Sequence, residues 1–178
     1  MENLASLFGI PHLVNWIVLT PIIGLVIVGL LRHAEVIRWT TLGITLIALG
    51  LAAGLWANFD YRVSGPQFVD RVEGILPFGA QYAVGVDGIS LPLVLLTTFI
   101  IPLCVLVSWR IDNPKAFMML LLLVEVAVTG AFTALDAFLF LLFWEIAMIP
   151  MYFMIAFWGG AKRVHAAIKF LLFNVAGG

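Results

Sequence analysis

Long apolar stretches, separated by short clusters of charged, glycine and proline residues, set the rhythm of this chain. A hydrocarbon core about 30 Å thick needs around 20 apolar residues of helix at about 1.5 Å rise per residue. Runs of that length lie at 13–31, 39–57, 89–109, 116–135 and 137–158, and another begins near Ala166. The pattern predicts an all-α transmembrane helix bundle of five full spans plus the start of a sixth. From Ala166 only 13 residues remain to Gly178, about 20 Å of helix. A free carboxylate there would end within the bilayer, at a cost. The expectation is therefore one membrane domain, residues 1–178, truncated from a longer protein. Met1-Glu2-Asn3 supplies no basic n-region, and the apolar run that follows exceeds the usual length of a signal-peptide core, so the first span reads as an anchor helix.

The longest connection, about 58–88, carries Gly65-Pro66, Pro77, Gly79, Gly85 and Asp87-Gly88 among short apolar groups. Such residues mark turns. Gln81-Tyr82-Ala83-Val84 can form a short strand, which predicts a small ordered hairpin or cap at the membrane surface.

Composition agrees with the spans. Hydrophobic residues make up 63% and charged residues 11% of the chain, with a mean hydropathy of +1.15; a soluble domain carries about a quarter charged residues. The net charge of -1 and the scattering of Lys and Arg between apolar runs give no footprint for nucleic acid. Cys104 is alone, inside an apolar run where it reads as a small buried residue, and His12, His33 and His165 lie far apart. Neither a disulfide framework nor a metal-ligand spacing is present. The basic residues do set an orientation. Arg32, Arg38, Arg110, Lys115, Lys162 and Arg163 fall in alternate connections, and Arg62 and Arg71 in the opposite ones. Lys169, at the start of the sixth helix, completes the nine. This asymmetry places the N-terminus and the 58–88 connection outside the cytoplasm or its equivalent.

Most of the acidic residues lie in loops or at helix ends, but Glu125 and Glu145 lie deep in the fourth and fifth runs. An ionised residue at the centre of a membrane helix costs about 2.5–3.5 kcal/mol, so such residues face a bundle interior and serve transport. Glu125 is nine residues from the inner end of its run, about 14 Å, and Glu145 thirteen from the inner end of the next, about 20 Å. Both fall near the midplane of antiparallel neighbours joined by a turn at Asp136. The structural reading of either is a protonated acid bonded to a backbone carbonyl. Pro150 removes an N–H and leaves the Ile146 carbonyl without its donor, one turn from Glu145. Ordered water beside the carboxyl can re-satisfy that group. Tyr152, seven residues past Glu145, shares nearly the same helix face and can bond to such water. Phe138, Phe140, Phe143 and Trp144 read as lipid-facing or packing aromatics. No phosphate loop, dinucleotide fingerprint or nucleophile–base pair is found.

The stretch from Asp136 to Glu145, with Ile149-Pro150-Met151-Tyr152 and Trp158-Gly159-Gly160, resembles the fifth-helix signature of the subunit M, or chain 4, family of respiratory complex I. Val84-Gly85-Val86-Asp87-Gly88-Ile89-Ser90-Leu91, Gly130-Ala131-Phe132 and Ala166-Ala167-Ile168-Lys169-Phe170 add to the likeness, which covers about 80–178. The resemblance implies an antiporter-like, proton-translocating subunit of NADH:quinone oxidoreductase with about fourteen helices and two inverted five-helix repeats. This chain would hold helices one to three and the start of the first repeat. It implies that Glu145 carries protons and pairs with a lysine on helix seven, beyond Gly178. The residues themselves, and not the resemblance, make Glu125 a candidate further relay group, Tyr152 a relay or water contact, and Pro150 the kink. The resemblance further implies no cofactor and no metal in this chain, with flavin, iron–sulfur clusters and quinone held by partner subunits. The implied partners are the other membrane and peripheral subunits and the lipid bilayer, in a bacterial plasma membrane with the N-terminus outside. Two other readings stay open: a subunit of a sodium/proton antiporter or membrane-bound hydrogenase, and a structural membrane scaffold.

Overall fold

The computed structural model describes residues 12–72 and 81–177. Its elements run α1 (Leu13–Leu30), α2 (Ala34–Ala57), β1 (Gln67–Val72), β2 (Tyr82–Val86), α3 (Ser90–Val107), α4 (Pro114–Thr133), α5 (Ala137–Trp158) and α6 (Arg163–Gly177). The first five helices in this order are each long and apolar enough to cross a membrane. The amino-terminal residues, the turn signals Pro77 and Gly79, and Gly178 lie outside the described residues.

The helix starts are written locally. Asn113 takes a left-handed conformation (φ 55°) and hands the chain to Pro114 at the first turn of α4, where proline's missing N–H costs nothing. The Asp136 carboxylate accepts from the amides of Phe138 and Leu139 and caps α5. Before α3, Asp87 Oδ1 accepts from the Ile89 and Ser90 amides at 3.0 and 2.7 Å, and Ser90 Oγ accepts from the Asp87 amide at 2.9 Å. This reciprocal capping turns a strand into a span within four residues. The Ser90 amide, ahead of the other hydrogen bonds and against some burial, holds the Asp87 carboxyl below its ordinary value.

Two boundaries differ from the sequence expectation. The second span begins at Ala34, not 39, because Glu35 and Arg38 pair at 2.6 Å one turn apart and make a charged first turn compatible with helix. The sixth helix begins at Arg163, whose guanidinium donates to the Phe157 carbonyl at 2.9 Å across the turn. Cys104 is half-buried against the core, not enclosed by it.

β1 and β2 pair antiparallel, with Asp70 opposite Val84 and Val72 opposite Tyr82, and an irregularity between Gln67 and Asp70. The expected strand at Gln81–Val84 thus lies at Tyr82–Val86. The hairpin is fastened to the helices: the Leu135 amide donates to the Ala83 carbonyl at 2.9 Å, in the turn between α4 and α5. Gly85 belongs at that seat, since a Cβ there would lie 2.9 Å from Leu135 Cδ1 and 3.1 Å from Val69 Cγ2. Val84 and Val86 are fully buried with Val14, Leu55 and Leu91 in a core cluster at the hairpin end; Val28, Ile37, Met118 and Leu122 anchor a second one at the opposite end. α4 packs against α1, α2, α3 and α5 and is the most enclosed span, whereas α5 is the least.

Candidate functional site

The two intramembrane acids occupy one depth. Glu125 lies eight residues before Thr133, and Glu145 eight residues after Ala137, so each is about 12 Å from the hairpin end of its helix. Their surroundings differ. Glu125 is 0% exposed, and neither of its carboxyl oxygens has a hydrogen-bond partner among the described residues. Among the described residues the other buried polar side chains are five threonines, Thr41, Thr45, Thr98, Thr129 and Thr133. Each spends its hydroxyl proton on a carbonyl of its own helix; that of Thr129 goes to the Glu125 backbone oxygen at 2.5 Å. The carboxyl is thereby left alone in an apolar interior, where an unpaired charge is expensive.

Glu145 is exposed on α5. The reason is its angular position. Phe143 faces α4 and rests against Gly130; two residues later the helix has turned about 200°, so Glu145 points away from α4. The fold therefore brings Glu125 and Glu145 to one level without joining them in one pocket.

Pro150 is buried within α5, and its imino nitrogen leaves the Ile146 carbonyl without the usual donor. Tyr152 is half-buried, edge-on to Phe153 with ring centroids 5.3 Å apart. It shares the Glu145 side of α5 to within about 20°, and no hydrogen bond joins the two among the described residues. Of the aromatic run, Phe143 packs on the core cluster at the hairpin end. Phe140 and Trp144 stack at 6.0 Å and line, with Phe173 and Asn174 of α6, a cleft of about 500 Å³. Phe138 is exposed.

Sequence reasoning missed a polar cluster at the hairpin end. His12 Nδ1 lies 2.9 Å from Asp70 Oδ1, Asn15 Nδ2 donates to Asp70 Oδ2 at 2.6 Å, and the Tyr82 hydroxyl donates to Asn15 Oδ1 at 2.9 Å. Burial, reinforced by the Asp70 charge, pushes the Tyr82 hydroxyl up from its ordinary value. Asn15 within an apolar run was the available signal, but its partners lie 55 and 67 residues away. At the end opposite the hairpin Lys115 Nζ donates to the carbonyls of Gly29 and Leu31 at 2.6 and 3.0 Å, meeting the negative end of α1. Among the described residues no three His, Cys, Asp or Glu side chains gather as metal ligands.

Five candidate spans, a two-stranded sheet fastened to the turn between α4 and α5, and two carboxyls near the middle of their helices define a multi-pass integral membrane protein. Comparison with known proteins makes this specific. Residues 75–131 match the family described as NADH-ubiquinone oxidoreductase chain 4, amino terminus, and residues 134–178 match NADH:quinone oxidoreductase/Mrp antiporter, TM. F(420)H(2) dehydrogenase subunit M of Methanosarcina mazei is 39% identical over 132 residues, which is 73% of this chain and 27% of that protein. Chloroplastic NAD(P)H-quinone oxidoreductase chain 4 of Chara vulgaris is 39% identical over 165 residues, 90% of this chain and 34% of that one. A chain of respiratory complex I from Thermus thermophilus with bound NADH superposes with a TM-score of 0.79 at 27% identity, covering 92% of this chain and 33% of that chain. An archaeal membrane-bound sulfane sulfur reductase gives 0.74 at 22% identity over 90% of this chain and 25% of that chain, a likeness of fold alone. The chain belongs to the NADH:quinone oxidoreductase chain 4, or subunit M, family of antiporter-like membrane subunits. It spans about a third of the length of the curated relatives it matches.

Proposed function

We propose that this chain carries protons across a membrane as part of a quinone-reducing dehydrogenase complex, with Glu145 as its principal proton-carrying group. The observation that carries the reading is an acid at mid-depth on the open face of a membrane helix. Facing lipid, an ionised group there costs about 2.5–3.5 kcal/mol, so the position makes sense where a cation, a proton or water meets it. A cation approaching from that face holds the carboxylate charged, and its withdrawal leaves the carboxyl to take up a proton. Binding and release thus follow the distance of the partner. Glu125 is the second acid of the relay, Tyr152 a relay or water contact, and Pro150 the source of a free carbonyl beside the path.

The relatives' names support a division of labour. An F(420)H(2) dehydrogenase and NAD(P)H-quinone oxidoreductases share this subunit type while differing in electron donor. Donor chemistry, with flavin, iron–sulfur clusters and quinone, then belongs to partner subunits, and this chain binds none of them. In this reading α4 opens the first five-helix repeat. The N-terminus and the hairpin lie on the outer side of a bacterial plasma membrane, following the loop charges.

The test is Glu145→Gln, which keeps shape and hydrogen bonding but cannot ionise. In vesicles with normal complex content it is expected to abolish most proton pumping and the quinone reduction coupled to it, while NADH oxidation by an artificial acceptor persists. Unchanged pumping refutes the reading. The second family match includes Mrp antiporters, so the competing reading is an antiporter or hydrogenase subunit; copurification with flavin and iron–sulfur subunits that reduce quinone decides between them.

A further inference from the structure

We propose that Gly130 and Phe143 are positioning residues: the Phe143 ring, seated on the bare backbone of α4 at Gly130, fixes the rotation of α5 about its axis and thereby the direction in which Glu145 projects. The inference deepens the reading of Glu145 as a proton-carrying group and rests on it. Its basis is a contact that only glycine permits. A Cβ at residue 130 would lie 2.6 Å from Phe143 Cγ and 2.5 Å from Cε1, and would also strike Cδ1. Cγ sits one bond from the Phe143 Cβ, so spinning the ring about the Cβ–Cγ bond does not relieve the overlap; either the side chain swings about χ1 and leaves the seat, or α5 moves. Gly130 lies inside a helix, where glycine is less favourable than alanine by about 1 kcal/mol. Its presence there is explained by the close approach it allows.

The geometry links this seat to Glu145. Leu139, Phe143 and Pro150 fall within about 40° of one another on the face of α5 that meets the bundle, and Leu139 and Pro150 are buried. Phe143 is the member of that stripe seated against Gly130 of α4, and through that contact it sets the angular register. Glu145 is about 200° round from it, at a side-chain radius of about 5–6 Å, where each 10° of rotation carries the carboxyl about 1 Å. Restoring an ordinary 3.4 Å contact from 2.6 Å requires a displacement of 0.8 Å at the seat. A shift of this order at the carboxyl is enough to matter, because a misplacement of about 1 Å can slow a transfer step by about a hundredfold.

The experiment uses the assembled complex in proteoliposomes and two readouts: coupled quinone reduction with proton uptake, and the infrared carboxyl band assigned to Glu145 by its absence in Glu145→Gln. Gly130→Ala is expected to slow coupled turnover by roughly tenfold or more and to shift that band. Gly130→Ala with Phe143→Ala, which removes Cγ, is expected to recover turnover relative to Gly130→Ala alone, so that the two changes are non-additive. Phe143→Ala alone empties the seat and is expected to broaden the band. If Gly130→Ala fails to assemble, the broadening in Phe143→Ala carries the test. An assembled Gly130→Ala complex with wild-type turnover and an unmoved band overturns the inference, as does an unaltered band in Phe143→Ala. Loss of complex content with no change in the band in either variant shows packing alone and also overturns it. Normal pumping in Glu145→Gln, by contrast, sinks the functional reading while leaving the band shift to report the geometry.

Discussion

Glu125 offers a test in which stability and transport move in opposite directions. Both of its carboxyl oxygens are buried without a hydrogen-bond partner among the described residues, and the threonines of the bundle interior donate to their own helices. Leaving a buried polar group unsatisfied costs about 1–3 kcal/mol. Glu125→Met replaces the acid with an unbranched, adaptable apolar chain that fits irregular core space. It is expected to raise the stability of the subunit by about that amount. At about 2–4 °C per kcal/mol for a domain of this size, the thermal midpoint in detergent rises by roughly 2–12 °C. Glu125→Gln keeps a polar group in the same apolar surroundings and is expected to stay within about 0.5 kcal/mol of wild type.

Transport takes the other order. Both variants lack an ionisable group, so both are expected to reduce proton pumping, and by less than Glu145→Gln does. The paired assay is the thermal midpoint and the pumping rate on the same preparations. A midpoint lowered in Glu125→Met by the equivalent of about 1 kcal/mol or more means that the carboxyl is satisfied in the assembled protein, and the account of its isolation is wrong. A raised midpoint with full pumping leaves Glu125 without a part in transport.

Asp70 accepts from Asn15 and contacts His12, so Asp70→Ala is expected to cost about 1–3 kcal/mol and to raise hydrogen exchange in the hairpin; unchanged exchange means the cluster does not hold it. The Asp87 carboxyl is held below its ordinary value of 3.8 by the Ser90 amide. Its contribution to the start of α3 is therefore present above that value and lost as pH falls through the lower folded value. Exchange protection of the Ser90 amide, referenced to an unstructured peptide, checks it, and Asp87→Ala is expected to show low protection at every pH. In vesicles of one orientation, single thiols at Arg62→Cys and Lys162→Cys are expected to react with an impermeant maleimide from opposite faces, the former from outside; labelling of both from one face refutes the topology.

What the sequence made legible was what depends on local chain chemistry. Apolar length marks the spans, and Asp136 and the Asp87–Ser90 pair start α5 and α3 by bonds within four residues. The start of α2 was misplaced because a length-and-hydropathy criterion discounts a charged turn that the Glu35–Arg38 pair makes helical. The polar cluster at the hairpin was invisible for the opposite reason: Asn15, Asp70 and Tyr82 meet only after the hairpin folds back on α1. The two acids show the limit most clearly. Both stand in runs that are apolar all round, so no stripe on either helix indicates which side will be covered. Sequence could place Glu125 and Glu145 at similar depth and rank them by the neighbouring Pro150 and Tyr152 and by resemblance, not by burial. Their difference in burial comes from neighbours: α4 is enclosed by four helices, whereas α5 turns only part of its circumference to the bundle. Gly130 belongs to the same class of information. As one letter in an apolar run it reads as an ordinary small residue of a membrane helix; opposite Phe143 it becomes the point where α5 meets backbone, and the roughly 200° between Phe143 and Glu145 then explains why the acid in the fifth-helix signature points away from the rest of the bundle.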